Sequence, residues 1–350
     1  MVNRGRGKDR EQPFNNQRPN KEPPIHTGRN RQQPSLLITL YALRLMFLPI
    51  ASSLSSIDVI FDDMELAWKE AGRLPDGFRE QLENKKKELG GEESSGILMF
   101  DGERPVGAAW VDLPHGNYGS LLMHTTQPEY RAGLAQECVD RGMMSDVILE
   151  LIQFRPGDEF RDAFKAAGLE EKFRQKMAYP LDPPPPAPEL PSDITMEPLA
   201  VEHADMAGRI SHAAHDISKD LEGYHDFVSP ESRAGLERRI FSGMFGPVIT
   251  QASLFVRYRG EPAGVCLVVG IPGWGYDQVA WILDMAIRPG LQGHGIGRAM
   301  MQQSLCGMAS AGIPIAGLAV TVDNGHAVRM YEKVGFHVVE QFYEYVIRKA

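Results

Sequence analysis

A chain of 350 residues, 43% of them hydrophobic, is long enough for two domains with packed cores. Its net charge of −9 is uneven: residues 1–34 carry eight Lys/Arg against three Asp/Glu, an excess of five positive charges that leaves −14 for the rest. An acidic body argues against nucleic-acid binding and favours cationic partners such as amines. Three cysteines (Cys138, Cys266, Cys306), odd in number and without metal-site spacing, exclude a disulfide framework and suit a reduced, cytoplasmic protein with no metal.

Residues 1–34 are rich in Arg, Asn, Gln, Pro and Gly, bury too little apolar surface to offset the entropy of ordering, and read as a disordered basic tail. Residues 35–56 are the most apolar stretch and have three readings: an export or membrane segment, a docked helix, or an upstream extension of the true start. Arg44 in mid-run, at about 2.5–3.5 kcal/mol against insertion, and Pro49 argue against a membrane role. Apolar spacing through Met64, Leu66, Trp68, Phe78 and Leu82 predicts two helices between Asp58 and Leu89, turning at Pro75-Asp76-Gly77. Asp101-Gly102, between Gly96–Phe100 and Pro105–Val111, predicts a hairpin. A strand over Ser120–His124, a helix over Ala132–Arg141, a strand over Asp146–Phe154 and a helix over Glu159–Ala167 complete an α/β domain over 57–180. Residues 181–193, with Pro183 to Pro186 in succession, are an extended, semi-rigid linker.

Residues 194–350 read as a second domain in the order βααβββαβαββ. The pattern gives a strand at Ile194–Pro198, helices at Val201–Ile217 and Pro230–Phe241, and a hairpin of Val248–Arg257 with Pro262–Ile271. A strand at Gln278–Ile287 and a helix to about Ala311 come next, then a strand at Ile315–Val322, a helix at Asn324–Val334 and a final strand pair ending near Ile347. Between the strand ending at Ile287 and the helix starting near Ile296 lies a loop with Gly293, Gly295 and Gly297. Glycines there let backbone N–H groups turn inward, and the helix adds its partial positive end, so the expected guest is a phosphate or diphosphate. A dinucleotide fingerprint is disfavoured: Gly293-His294-Gly295-Ile296-Gly297-Arg298 lacks the third small residue of G-x-G-x-x-G, and no acidic residue stands about 20 positions on.

Two stretches resemble the GNAT superfamily of acyl-CoA-dependent N-acetyltransferases: Gln292-Gly293-His294-Gly295-Ile296-Gly297 after Ala286-Ile287-Arg288-Pro289, and the run from Val322-Asp323-Asn324 through Ala327 and Tyr331 to Gly335-Phe336. The resemblance covers about residues 194–350. It implies that the backbone of Met285, Ala286 and Ile287 pairs with the pantetheine arm of acetyl-CoA, the co-substrate, and that the Gln292 to Gly297 amides hold the diphosphate with Arg298 at its edge. Asn324 would touch the same ligand, and by its residue type it also reads as a helix N-cap; Ala327, one turn on, leaves room for it. Tyr331 would be the general acid, a phenol of ordinary pKa about 10 giving a proton to a thiolate of ordinary pKa about 8.5. Asp284 on the central strand, or a water chain, would take the proton from a small-molecule or peptide amine, and a strand N–H would meet the oxyanion. His212, His215 and His225 are candidates to line an acceptor pocket, but they have no metal-site pattern and more often such histidines are surface or helix residues.

The first half reads as a worn copy of the second. Phe160-Arg161-Asp162-Ala163-Phe164 to Gly168-Leu169 aligns with Ala327 to Phe336 and puts Phe164 under Tyr331, while Tyr130-Arg131-Ala132-Gly133-Leu134-Ala135 stands where the glycine loop would be. The expectation is therefore an α/β (α+β) protein of two tandem GNAT-like domains, each a mixed, mostly antiparallel sheet flanked by helices. The first copy would neither bind acetyl-CoA well nor catalyse. The second would transfer acetyl to an amine, the alternative being a non-catalytic acyl-CoA-binding module.

Overall fold

The computed structural model describes residues 45–72, 74, 77–91, 96–115, 118–143, 148–150, 159–218 and 224–346. The tail over 1–34 and the first part of the 35–56 segment lie outside these. Of that segment, Leu45–Pro49 is an edge strand (β1) and Ile50–Ser56 a 3-10 stretch, which corrects the docked-helix reading. Leu45 and Phe47 pack toward one core and Leu48 and Ile50 toward another. Pro49, which has no N–H to donate, is the last residue of the strand.

The first half continues with helices α1 (Ile57–Glu70) and α2 (Phe78–Leu89), then strands β2 (Gly96–Asp101), β3 (Arg104–His115) and β4 (Tyr118–Thr125). Helix α3 (Arg131–Asp140), β5 (Ile148–Glu150), α4 (Arg161–Ala166) and β6 (Glu170–Pro180) complete it. The second half holds β7 (Ile194–Pro198), α5 (Ala204–Ser218), α6 (Pro230–Phe241), β8 (Leu254–Tyr258), β9 (Glu261–Gly273) and β10 (Tyr276–Ile287). It ends with α7 (Ile296–Ser310), β11 (Ile315–Thr321), α8 (Gly325–Val334) and β12 (His337–Val346). Local chemistry accounts for several boundaries: Ser229 accepts from the Ser232 N–H with Pro230 at the first helical position, and Asn324 accepts from the Ala327 N–H. β12 is one strand with a register shift at Val338, where the sequence pattern predicts a strand pair.

All twelve strands join in a single sheet, ordered β1-β2-β3-β4-β5-β12-β6-β11-β10-β9-β8-β7. The pairs β4/β5 and β10/β11 are parallel and the others antiparallel. Read inward from either edge the pattern is the same, with one exchange at the centre: β12 sits beside β5, and β6 beside β11. Each half thus lends its last strand to the other. Met177, Tyr179 and Leu181 pack in the core of the second half, and Tyr345 is fully buried in that of the first. Burial of a side chain of that size is worth about 2–3 kcal/mol. The sequence pattern does not predict β6; its charged residues are matched across strands, Arg174 to Glu344 at 2.9 Å and Lys176 to Glu340 at 3.1 Å. The 181–193 segment runs without regular structure, tied in where the Leu181 N–H donates to Pro314 O.

Candidate active site

The cleft begins with a bulge. Along β10 and β9, Ile282 faces Val268 but Asp284 faces Leu267, so Leu283 is an extra residue. A bulge bends its strand and re-aims the residues beyond it. Past Ile282 the pairing of β10 with β11 stops, while β11 continues along β6 as far as Thr321. Beyond that point a cleft of about 480 Å³ is lined by the end of β10 and by α8, the helix that follows β11.

Met285, Ala286 and Ile287 line this cleft from β10. Gln292, Gly293, Gly295, Gly297 and Arg298 line it from the loop and first turn of α7, and Asn324, Ala327 and Tyr331 from α8. Gly293 and Gly295 have φ of +81° and +78°, a region a Cβ disfavours, and Gly295 caps α7. A Cβ on Gly297 would stand 3.6 Å from Ile287 and 3.8 Å from Met285, inside the gap beside β10. The first turn of α7 carries no acidic residue, so nothing there opposes an anion at the helix's positive end. These features fit a diphosphate-bearing ligand. Gln292 donates its side-chain amide to Ile287 O at 3.3 Å, which ties the loop to the end of β10.

Three anticipated residues do not line the cleft. His294 is exposed, its Nδ1 3.1 Å from Gln292 O; Ile296 is core; and Asp284 is buried behind the cleft wall. The Asp284 side chain is only 1% exposed. Its Oδ2 accepts from Arg233 Nη2 at 2.8 Å and its Oδ1 lies 3.0 Å from His215 Nε2. Burial alone would push this carboxyl up, but the Arg233 charge and the hydrogen bonds from His215 and Arg233 outweigh burial and hold it well below the usual carboxylate range. A direct proton abstraction by Asp284 is not what this placement offers.

The cleft also receives His215, one of the three histidines considered for an acceptor pocket, and residues to which the sequence pattern assigns no role: Ala214 from α5, and His326, Arg329 and Lys333 from α8. The last three recur at helical spacing on one face, a basic stripe visible in the sequence. The pairing of His215 with Asp284, 69 positions apart, leaves no local signal. His212 turns elsewhere, its Nδ1 3.1 Å from Phe227 O, and the side chain of His225 lies outside the described residues. Among the described residues no three His, Cys, Asp or Glu side chains gather as a metal site would need, and no helix is long and apolar enough to cross a membrane.

The first half lacks each device. By strand register Met123, His124 and Thr125 correspond to Met285, Ala286 and Ile287, and between Leu121 and Leu122 there is no extra residue. Where Ala286 leaves space, His124 is buried with its Nε2 2.6 Å from Asp63. Tyr130 leads straight into α3, so no glycine loop forms. Phe164 is fully buried, 4.8 Å from the Tyr345 ring.

Comparison with known proteins points to the same half of the chain. The acetyltransferase (GNAT) family model matches residues 222–336. That stretch of the second half, which includes the cleft-lining loop and helix, is what resembles the GNAT acetyltransferases. The chain is 28% identical over 175 residues to a mycothiol acetyltransferase of Streptomyces scabiei, covering 49% of this chain and 52% of that one. A mycothiol acetyltransferase of Thermobispora bispora is 27% identical over 291 residues, 77% of this chain and 90% of the relative. The match thus spans about half of the first relative and most of the second. Among solved structures, a GCN5-related N-acetyltransferase from Sphaerobacter thermophilus covers 86% of this chain and 95% of its own at 19% identity and a TM-score of 0.48.

Proposed function

We propose that this chain moves an acetyl group from acetyl-CoA to a primary amine of a small-molecule or peptide acceptor in the cytoplasm, by direct attack within a ternary complex. The observation that carries the proposal is that Gly293, Gly295 and Gly297, the end of β10 and Tyr331 line one cleft. In this reading the loop amides and Arg298 hold the diphosphate. Met285 to Ile287 align the pantetheine arm through their backbone, and Asn324 and Ala327 flank it. Tyr331 stands where a leaving sulfur needs a proton. The relatives named for mycothiol favour a small-molecule acceptor over a peptide. The first half has no equivalent cleft-forming bulge, so it serves as a scaffold in this scheme, and 57–180 and 194–350 act as its two domains about the 181–193 linker.

Calorimetry with coenzyme A, then thiol release from acetyl-CoA across a panel of primary amines, tests the proposal. Micromolar binding with amine-dependent release is expected. Binding with no release on any amine would leave a non-catalytic acyl-CoA-binding module, and no binding would overturn both readings.

A further inference from the structure

Behind the cleft wall lies a cluster of buried charge that holding a diphosphate does not require. Arg233 is 1% exposed, and its Nη2 lies 2.8 Å from Asp284 Oδ2 and 2.8 Å from Glu237 Oε1. Its Nε donates to Ser211 Oγ at 2.9 Å, and its guanidinium sits 4.8 Å over the Phe227 ring. The only member of the group that also lines the cleft is His215, whose side chain is 19% exposed and whose ring meets the edge of Phe227 at 5.2 Å.

We propose that His215 is the base that takes the proton from the attacking amine, with Asp284 positioning its ring; this rests on the acetyl-transfer reading above. An ionised carboxylate can only accept, so the hydrogen between Asp284 and His215 belongs to Nε2, and in the neutral ring the lone pair is on Nδ1. This is the arrangement by which a carboxylate fixes both the tautomer and the orientation of an imidazole and steadies the imidazolium when it forms.

Two other titratable groups face Asp284. Glu237, on α6, competes with Asp284 for the same guanidinium nitrogen. Burial pushes Glu237 up to about 7, against the pull of Arg233 and with the repulsion of Asp284, so below that pH it keeps its proton and leaves the Arg233 charge to Asp284. Cys266, facing the group from β9, is pushed up to about 12 by burial and stays a neutral thiol.

The proton accounting closes. The amine lone pair forms the N–C bond at the thioester carbonyl carbon. The extra N–H proton of the adduct passes to His215 Nδ1. The C–S bond breaks with its electron pair going to sulfur, which takes the Tyr331 proton. Solvent then returns a proton from the imidazolium to the tyrosinate, leaving amide and free thiol.

The full chain, acetyl-CoA and the fastest amine of an alkylamine, amino-sugar and dipeptide panel test the assignment. His215→Ala should lower kcat about 10²–10³-fold, abolish the ascending limb of the kcat/KM pH profile and change calorimetric coenzyme A affinity less than threefold. Free imidazole should restore part of the rate. Nitrogen NMR of the resting protein should show His215 as the Nε2–H tautomer, and Asp284→Asn should switch the tautomer and lower kcat. Wild-type kcat and pH profile in His215→Ala, or an Nδ1–H ring in the resting protein, would overturn the assignment. Wild-type protein that binds acetyl-CoA yet acetylates no amine would instead sink the acetyl-transfer reading, and this inference with it.

Discussion

Glu237→Gln isolates the cost of the second buried carboxyl. The Glu237 carboxyl is fully buried within 2.8 Å of Arg233, and burial moves it from 4.5 to about 7 despite that neighbour. In the unfolded chain it ionises near 4.5. Between the two values the folded protein binds a proton that the unfolded chain does not, so stability falls as pH rises, by about 1.4 kcal/mol per unit. Across 7 minus 4.5, or about 2.5 units, the loss is about 3 kcal/mol. The contribution is complete below pH 4.5 and gone above about 7. Glutamine cannot ionise, so this loss disappears, while any hydrogen-bonding mismatch of its amide adds an offset that does not vary with pH. Urea unfolding at pH 4.5, 6 and 8 should therefore show the variant gaining on the wild type by about 3 kcal/mol across the range. A difference that stays constant with pH within about 0.5 kcal/mol would refute the reasoning.

Other consequences are equally direct. Tyr331→Phe should lower kcat about 10²-fold or more with little change in the acetyl-CoA KM, since it removes a proton donor and keeps the ring packed against Phe336 at 5.8 Å; an unchanged kcat assigns the proton elsewhere. Gly295→Ala has open space for its Cβ but must hold φ at +78°, so about 1–2 kcal/mol of strain should appear as a roughly tenfold weaker coenzyme A affinity by calorimetry. A fragment of residues 190–350 lacks β6 and with it Met177 and Tyr179, and should show no cooperative unfolding transition; a soluble fragment that acetylates at full rate would contradict the strand exchange.

The parts of the molecule legible in the sequence are those whose signal is local. The helix Pro230–Phe241 is readable to the residue because Ser229 and Pro230 mark its start, and the α7 loop because its glycines must adopt a backbone few residues tolerate. The Asn324 to Gly335 helix carries both its cap and its left-handed terminator, φ +118° at Gly335. β6 stays hidden because Glu170, Lys172, Arg174 and Lys176 have the composition of a solvated segment, and only β12 and β11, far along the chain, make it a strand. Asp284 falls on the expected strand but lies buried behind the cleft wall, for the same reason: its partners His215 and Arg233 come from two helices whose docking no local pattern announces.

The exchange of final strands changes what the first half contributes. The cleft exists because β11 leaves β10 after Leu318, and a strand can leave its neighbour only if its backbone groups find other partners. For Ala319, Val320 and Thr321 those partners are Lys176, Gln175 and Arg174 of β6. Without β6, the edge of β11 would be open to pairing with any strand, and closing it onto β10 would abolish the gap in which Tyr331 and the glycine loop meet. A half whose described residues show neither the bulge nor the glycine loop thus supplies the strand on which the end of β11 is paired, and separating the two halves should cost the site.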